Sequence, residues 1–212
     1  LKNISPAELR SMPEVMKRVN AVREFRLNSS AAATVKSADR PTTFFYDITC
    51  EHSFLLIPRT SSERRRYIPI GFMQADVVAS DATAVVHDAD LYMFGVLSSN
   101  VHMAWMRVVA GRLKSDYRYA PKMVYNTFPW PTPTEDQKAK IEKTAQAILD
   151  ARALYPDSSL ADLYDELTMP VELRRAHQEN DRAVMLAYGF DIKNMTESLC
   201  VAELFKLYQE LT

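Results

Sequence analysis

The chain has 212 residues, of which 47% are hydrophobic and 25% charged, with a formal net charge of -1. That length suits one large domain or two small ones, and the proportions are those of a globular protein able to bury a core. No apolar run approaches the roughly eighteen residues of a membrane span, and the first ten residues mix charges with a proline, unlike a secretory leader.

The chain opens on Leu1 rather than methionine, which reads as an excised or processed piece. Cys50 and Cys200 have neither metal-type spacing nor a disulfide framework, so reduced thiols in a cytoplasmic protein are expected. Charge is uneven. Residues 1–132 carry 17 Lys plus Arg against 12 Asp plus Glu, whereas residues 133–212 carry 9 against 15. A polyanionic partner would meet the first part, and the second would face away from it.

In chain order, residues 5–26 read as a helix capped by Ser5, with Pro6 in its first turn; Pro13 interrupts the ladder and offers an alternative start with Met12 just outside. Lys17, Arg18, Arg23 and Arg26 suggest a solvated basic face. Residues 28–41 are small and polar and read as a flexible connector. Strands are expected at 44–48, 53–58, 67–72, 84–87 and 91–96, the third at an edge because of Pro69. A helix then runs from Val101 to Leu113. Tyr125 to Pro133 is proline-rich and extended. The remainder is helical: 134–154 capped by Thr134, a short element at 160–164, 170–188 ended by Gly189, and 196–211. This is an α+β pattern, with a mixed or antiparallel sheet followed by a helical region.

Two basic stretches stand out. The segment from Pro58 to Tyr67 contains Arg59, Arg64, Arg65 and Arg66 with the hydroxyls of Thr60, Ser61 and Ser62. Arginine forks match phosphates and guanine edges, and short hydroxyls match phosphate oxygens. The second holds Arg107, Arg112, Lys114, Arg118 and Lys122 interleaved with Tyr117 and Tyr119, a pattern able to follow a nucleic-acid backbone. The plainer alternative makes the first a solvated turn, and in the second makes the tyrosines core and the charges surface.

Catalytic signatures are weak. The four histidines, His52, His87, His102 and His177, have no metal-pair spacing. Ser61, His102 and Asp116 lack a nucleophile elbow. The four glycines, Gly71, Gly95, Gly111 and Gly189, form no phosphate loop or nucleotide-binding turn. Asn126-Thr127-Phe128-Pro129-Trp130 lacks the adjacent prolines of the Asn-Pro-Pro-Tyr loop of amino methyltransferases. No catalytic, cofactor or metal residue is assigned.

Several long stretches together carry a resemblance: Ile57 through Phe72, Phe94-Gly95-Val96-Leu97-Ser98-Ser99, His102-Met103-Ala104-Trp105, Gly111 through Tyr119, Tyr125 through Pro131, Leu163-Tyr164-Asp165, and Met169-Pro170 leading to Ala176-His177 and Asp181-Arg182-Ala183-Val184. This set resembles the C-terminal part of the MmeI-like adenine-specific DNA methyltransferases, many of which are fused restriction–modification enzymes. The resemblance implies a helical connector over 1–41, a DNA target-recognition domain over 42–131 and a helical C-terminal domain over 132–212. It implies double-stranded DNA as partner, no membrane, and an intramolecular contact with a methyltransferase core.

In that family the core uses S-adenosylmethionine to methylate adenine N6, so the cofactor belongs to the parent protein and this piece is not expected to methylate alone. The DNA-facing residues it implies are Arg59, Ser61, Ser62, Arg64, Arg65 and Arg66, with Arg112, Lys114, Ser115, Tyr117 and Arg118 in the second stretch. A rival reading makes the chain a protein-interaction module that docks another subunit of a restriction–modification or defence system.

Overall fold

Pro13 decides how the N-terminal segment folds. It cannot donate to the preceding turn, so one expected helix becomes two, α1 (Pro6–Arg10) and α2 (Pro13–Leu27). The Ser5 hydroxyl accepts from Glu8 N–H at 3.1 Å and caps α1. The computed structural model describes residues 1, 3–46 and 50–211, and it divides into two units, residues 1–49 and residues 50–212.

In the first unit the connector expected over 28–41 is instead organised. It holds α3 (Ala32–Lys36) and a 3-10 turn (Ser37–Asp39). The cause is Arg26, which is buried rather than part of a solvated face. Its guanidinium donates to the carbonyls of Ser37, Arg40 and Thr43 at 3.0, 2.9 and 2.8 Å. A buried charge needs such donors and acceptors matched around it. Lys17, Arg18 and Arg23 are exposed, as expected. Phe44, Phe45 and Tyr46 do not form the expected strand, and its continuation through Asp47 and Ile48 lies outside the described residues.

The second unit contains two small antiparallel sheets and the remaining helices, an α+β architecture. In the first sheet, β1 (Phe54–Pro58) lies between β3 (Gly71–Met73) and β4 (Thr83–Val86). Leu55 pairs with both Phe72 and Val86. Only the end of the expected 67–72 strand pairs, because Pro69 has no N–H for a ladder. In the second sheet, β6 (Asp116–Arg118) lies between β2 (Thr60–Ser61) and β5 (Gly111–Leu113).

Two assignments change type. Residues 91–96 form a helix, α4 (Leu91–Leu97), not a strand. The Asp90 carboxylate caps it, accepting from Met93 N–H at 2.8 Å. Its second half is buried, and an all-apolar run carries no period by which strand and helix differ. The following helix, α5 (Asn100–Val109), stops short of Leu113 because Ala110 turns extended and Gly111 enters β5. The expected extended stretch from Tyr125 begins in a run of turns over 121–127.

The C-terminal helices are α6 (Glu135–Ala153), α7 (Leu160–Leu163), α8 (Val171–Ala187) and α9 (Glu197–Leu211). Thr134 and Gln137 close a reciprocal capping box on α6. These helices share one core with the first sheet and with α4 and α5. Trp105 of α5 packs on Phe205 and Tyr208 of α9 and donates to Val124 O at 3.2 Å. Gly95 sets the approach of α4 to α6: a Cβ there would lie 2.7 Å from Ile141 Cγ2. The absent side chain also lets Asn180 Nδ2 donate to Gly95 O at 2.7 Å, while Thr144 Oγ1 donates to Asn180 Oδ1 at 3.0 Å.

The tightness of this core has two measurable consequences. Gly95→Ala should destabilise the protein by about 1–3 kcal/mol despite the better helix propensity of alanine, measured by denaturant unfolding, because Ile141 and Ala145 leave its methyl no room.

The second prediction concerns His102, which is wholly buried with Nε2 3.1 Å from Tyr119 Oη. Burial pushes its pKa down to about 3. The neutral ring therefore contributes stability that is complete above the ordinary histidine value and is lost as pH falls below it. By pH 5 the loss amounts to about 2 kcal/mol. The stability gap between the native protein and His102→Gln should narrow by that amount between pH 7 and 5, and a constant gap would refute the assignment.

Candidate nucleic-acid interface

The second sheet joins stretches that lie far apart in sequence. Thr60 pairs with Arg118 and Ser61 with Tyr117, while Arg112 pairs with Tyr117 from the other side. Alternation along a strand then sorts the side chains. Tyr117 and Ser61 point inward and are buried, whereas Arg118 is exposed. The Ser61 hydroxyl has no hydrogen-bond partner among the described residues. The Arg112 guanidinium covers the Tyr117 ring, 3.9 Å from its centroid, and donates to Ser115 O at 2.8 Å.

Lys114 and Ser115 form the two-residue turn between β5 and β6, and both are exposed. Lys114 has a φ of 57°, a left-handed conformation that such hairpin turns require and that glycine or asparagine adopts more readily. A lysine held there places a cation at the tip of the hairpin at some backbone cost.

The arginine loop leaves the same sheet. Arg59 is exposed and its backbone is tied on both sides, its N–H to Ala82 O at 2.9 Å and its carbonyl to Tyr119 N–H at 2.7 Å. Ser62 is half-buried and its hydroxyl accepts from Arg64 N–H at 3.3 Å. Arg64 and Arg66 are exposed, while Arg65 is half-buried, with Nη2 3.5 Å from Ala161 O. Glu63 fastens the loop to the hairpin: its N–H donates to Asp116 Oδ1 at 3.4 Å, and its carboxylate lies 3.9 Å from Arg112.

The base of this loop is anchored by a feature that the sequence reading did not single out. Asp181, on the buried face of α8, accepts from Tyr67 Oη at 2.6 Å and from Asn100 N–H at 2.8 Å. Burial raises its carboxyl to about 6, while the two donors and Arg66 pull it back. His177, one turn earlier, stacks on the Tyr67 ring at 4.1 Å and meets Tyr164 Oη at 2.6 Å. The available signal was polar residues falling on an otherwise apolar helical stripe: His177, Asn180 and Asp181 beside Leu173 and Val184.

The remaining candidates do not converge on catalysis. His102 bonds Tyr119 rather than Ser61, so no triad forms. Among the described residues no group of histidines, cysteines or carboxylates has the arrangement of a metal site. Among the described residues no helix is long and apolar enough to cross a membrane. Gly71 and Gly111 lie in strands, Gly95 inside α4 and Gly189 after α8. None occupies a strand-to-helix turn of the kind that admits a nucleotide.

The family models "MmeI, target recognition domain" and "MmeI, C-terminal domain" match residues 1–132 and 133–212. The chain is 39% identical over 206 residues to DNA methyltransferase A of Bacillus subtilis (strain 168), covering 97% of this chain and 23% of that protein. A solved structure of the Type IIL restriction-modification enzyme MmeI in complex with DNA superposes with a TM-score of 0.95 at 50% identity, covering 100% of this chain and 28% of that one. The chain thus spans about a quarter of the length of these relatives. It belongs to the MmeI family, as a C-terminal piece made of the target recognition domain and the C-terminal domain.

Proposed function

We propose that this chain is the sequence-reading portion of an S-adenosylmethionine-dependent adenine-N6 DNA methyltransferase, and that it positions duplex DNA for a catalytic core outside the residues described here. The observation that carries this reading is the second sheet, which brings the hairpin of Arg112, Lys114, Ser115 and Arg118 beside Thr60 and Ser61, directly after Arg59. The solved relative was captured on DNA.

Each group has a physical task in this reading. Arg59, Arg64, Arg65 and Arg66 supply forked donors to backbone phosphates, giving affinity and register. The hairpin tip, at Lys114 and Ser115, offers donors narrow enough for a groove, where base edges are read. Buried Ser61 and Tyr117 support this surface from beneath, the latter as the ring on which Arg112 rests. S-adenosylmethionine would supply the methyl group in the parent protein. The glycines of this chain do not fit it, so no step of transfer is assigned to these residues. The catalytic core would contact this chain within one polypeptide.

Fluorescence anisotropy of the full chain with duplexes of several sequences tests the proposal. Binding should weaken steeply with salt. Lys114→Ala and Arg118→Ala should each weaken it by roughly tenfold, with Lys114→Ala also altering the preference among sequences. Absence of salt-dependent binding even at low ionic strength would count against a DNA-recognition role.

A further inference from the structure

Beside the hairpin, a cavity of about 320 Å³ opens among Arg64, Arg65, Arg66, Arg107 and Asn100, with three glutamates on its walls. Each glutamate already has an arginine. Glu63 lies 3.9 Å from Arg112, Glu166 2.9 Å from Arg174, and Glu197 2.9 Å from Arg107. Arg112 and Arg174 come from outside the cavity lining, so two of the three acids are neutralised from elsewhere. Among the described residues, no carboxylate lies within ion-pairing distance of Arg64 or Arg66. Arg64 is therefore left without a compensating acid, while Arg66 faces only the buried Asp181.

The donors are also held in place. Arg66 lies over the Tyr67 ring, and Tyr67 is fixed by Asp181 and His177. Arg107 is one-quarter exposed and donates from Nη2 to Arg66 O at 3.3 Å and from Nη1 to Glu197 at 2.9 Å. The buried side-chain oxygen of Asn100 has no hydrogen-bond partner among the described residues. Turning that amide over presents N–H donors instead.

We propose that this cleft is a second anion site that takes one phosphodiester group of duplex DNA, with Arg64, Arg66 and Arg107 as ligands and Glu197 as the carboxylate that holds Arg107 until the phosphate displaces it. The proposal rests on the DNA-recognition reading above. A guanidinium fork fits phosphate as it fits carboxylate. Glu197 is more than half exposed, and an exposed ion pair contributes little, so it yields at small cost. The occupant is a DNA phosphate rather than a free anion because the loop from Ser62 to Arg66 continues directly from β2. Glu63 also ties it to the hairpin, so cleft and hairpin form one surface.

The test is anisotropy of the full chain on two unrelated duplexes across a salt series, with circular dichroism melts to establish folding. Arg64→Gln and Arg107→Gln should each weaken both duplexes by a similar factor, roughly fivefold, and reduce the salt slope by about 0.9, the contribution of one phosphate contact. Glu197→Gln should tighten binding roughly threefold, because it frees Arg107 and removes a like charge. A merely structural Glu197 would not yield a gain.

If folded Arg64→Gln and Arg107→Gln bind as the native chain does while Lys114→Ala and Arg118→Ala still weaken binding, the cleft proposal fails and the recognition reading stands on the hairpin, without a phosphate contact at Arg64. If the native chain shows no salt-dependent binding, both fail. If inorganic phosphate raises the melting temperature of the native chain but not of Arg64→Gln, and duplex affinity is the same in both, the cleft takes a free anion and the proposal is overturned. Weaker binding by Glu197→Gln would overturn the exchange, making Glu197 a support for Arg107.

Discussion

The placement of the arginine loop depends on one buried carboxylate. Asp181 reaches from α8 to the Tyr67 hydroxyl and to the first N–H of α5, joining three segments at one oxygen pair. With a carboxyl near 6, it is ionised at neutral pH and buried, so it must keep both donors. Tyr67 follows directly on Arg64, Arg65 and Arg66, and its ring is clamped against His177. The end of an arginine-rich loop, the most hydrated and mobile kind of segment, is thereby made part of the core.

A cluster of arginines repels itself and gains nothing from folding together, so its placement has to be enforced by neighbours. Here the neighbours are helices of the C-terminal region. α8 supplies Asp181 and His177, α6 supplies Arg152, which donates to Ile70 O at 2.8 Å, and α9 supplies Glu197 to Arg107. One acid of residues 133–212, Glu197, is thereby used to hold a basic residue of residues 1–132. The same interface is made close by Gly95, without which α4 could not approach α6.

The hairpin shows the opposite economy of structure. Its two-residue turn places Lys114 in a left-handed backbone, and Arg112 is laid flat over Tyr117 instead of extending into water. Local preference alone would favour glycine at that turn. A cation placed there against preference is the pattern expected where a side chain serves binding rather than stability.

Much was legible in the sequence for identifiable reasons. Thr134, Ser5 with Pro6, and Gly189 mark helix ends by local chemistry, and the structure keeps those ends. The two basic stretches were visible as composition, and the long ordered motifs pointed to the family. Local signals failed where burial removed the pattern. The apolar run at 91–96 has no polar face to reveal its period, and Arg26 looks like surface until three carbonyls surround it. What the sequence by itself determined was the α+β class, the helix boundaries set by caps and prolines, and which residues carry the charge. Only the tertiary structure decided that Thr60 pairs with Arg118, that Arg107 meets the arginine loop, and that Asp181 anchors it, because those contacts join residues up to 114 positions apart and depend on packing that no local preference encodes.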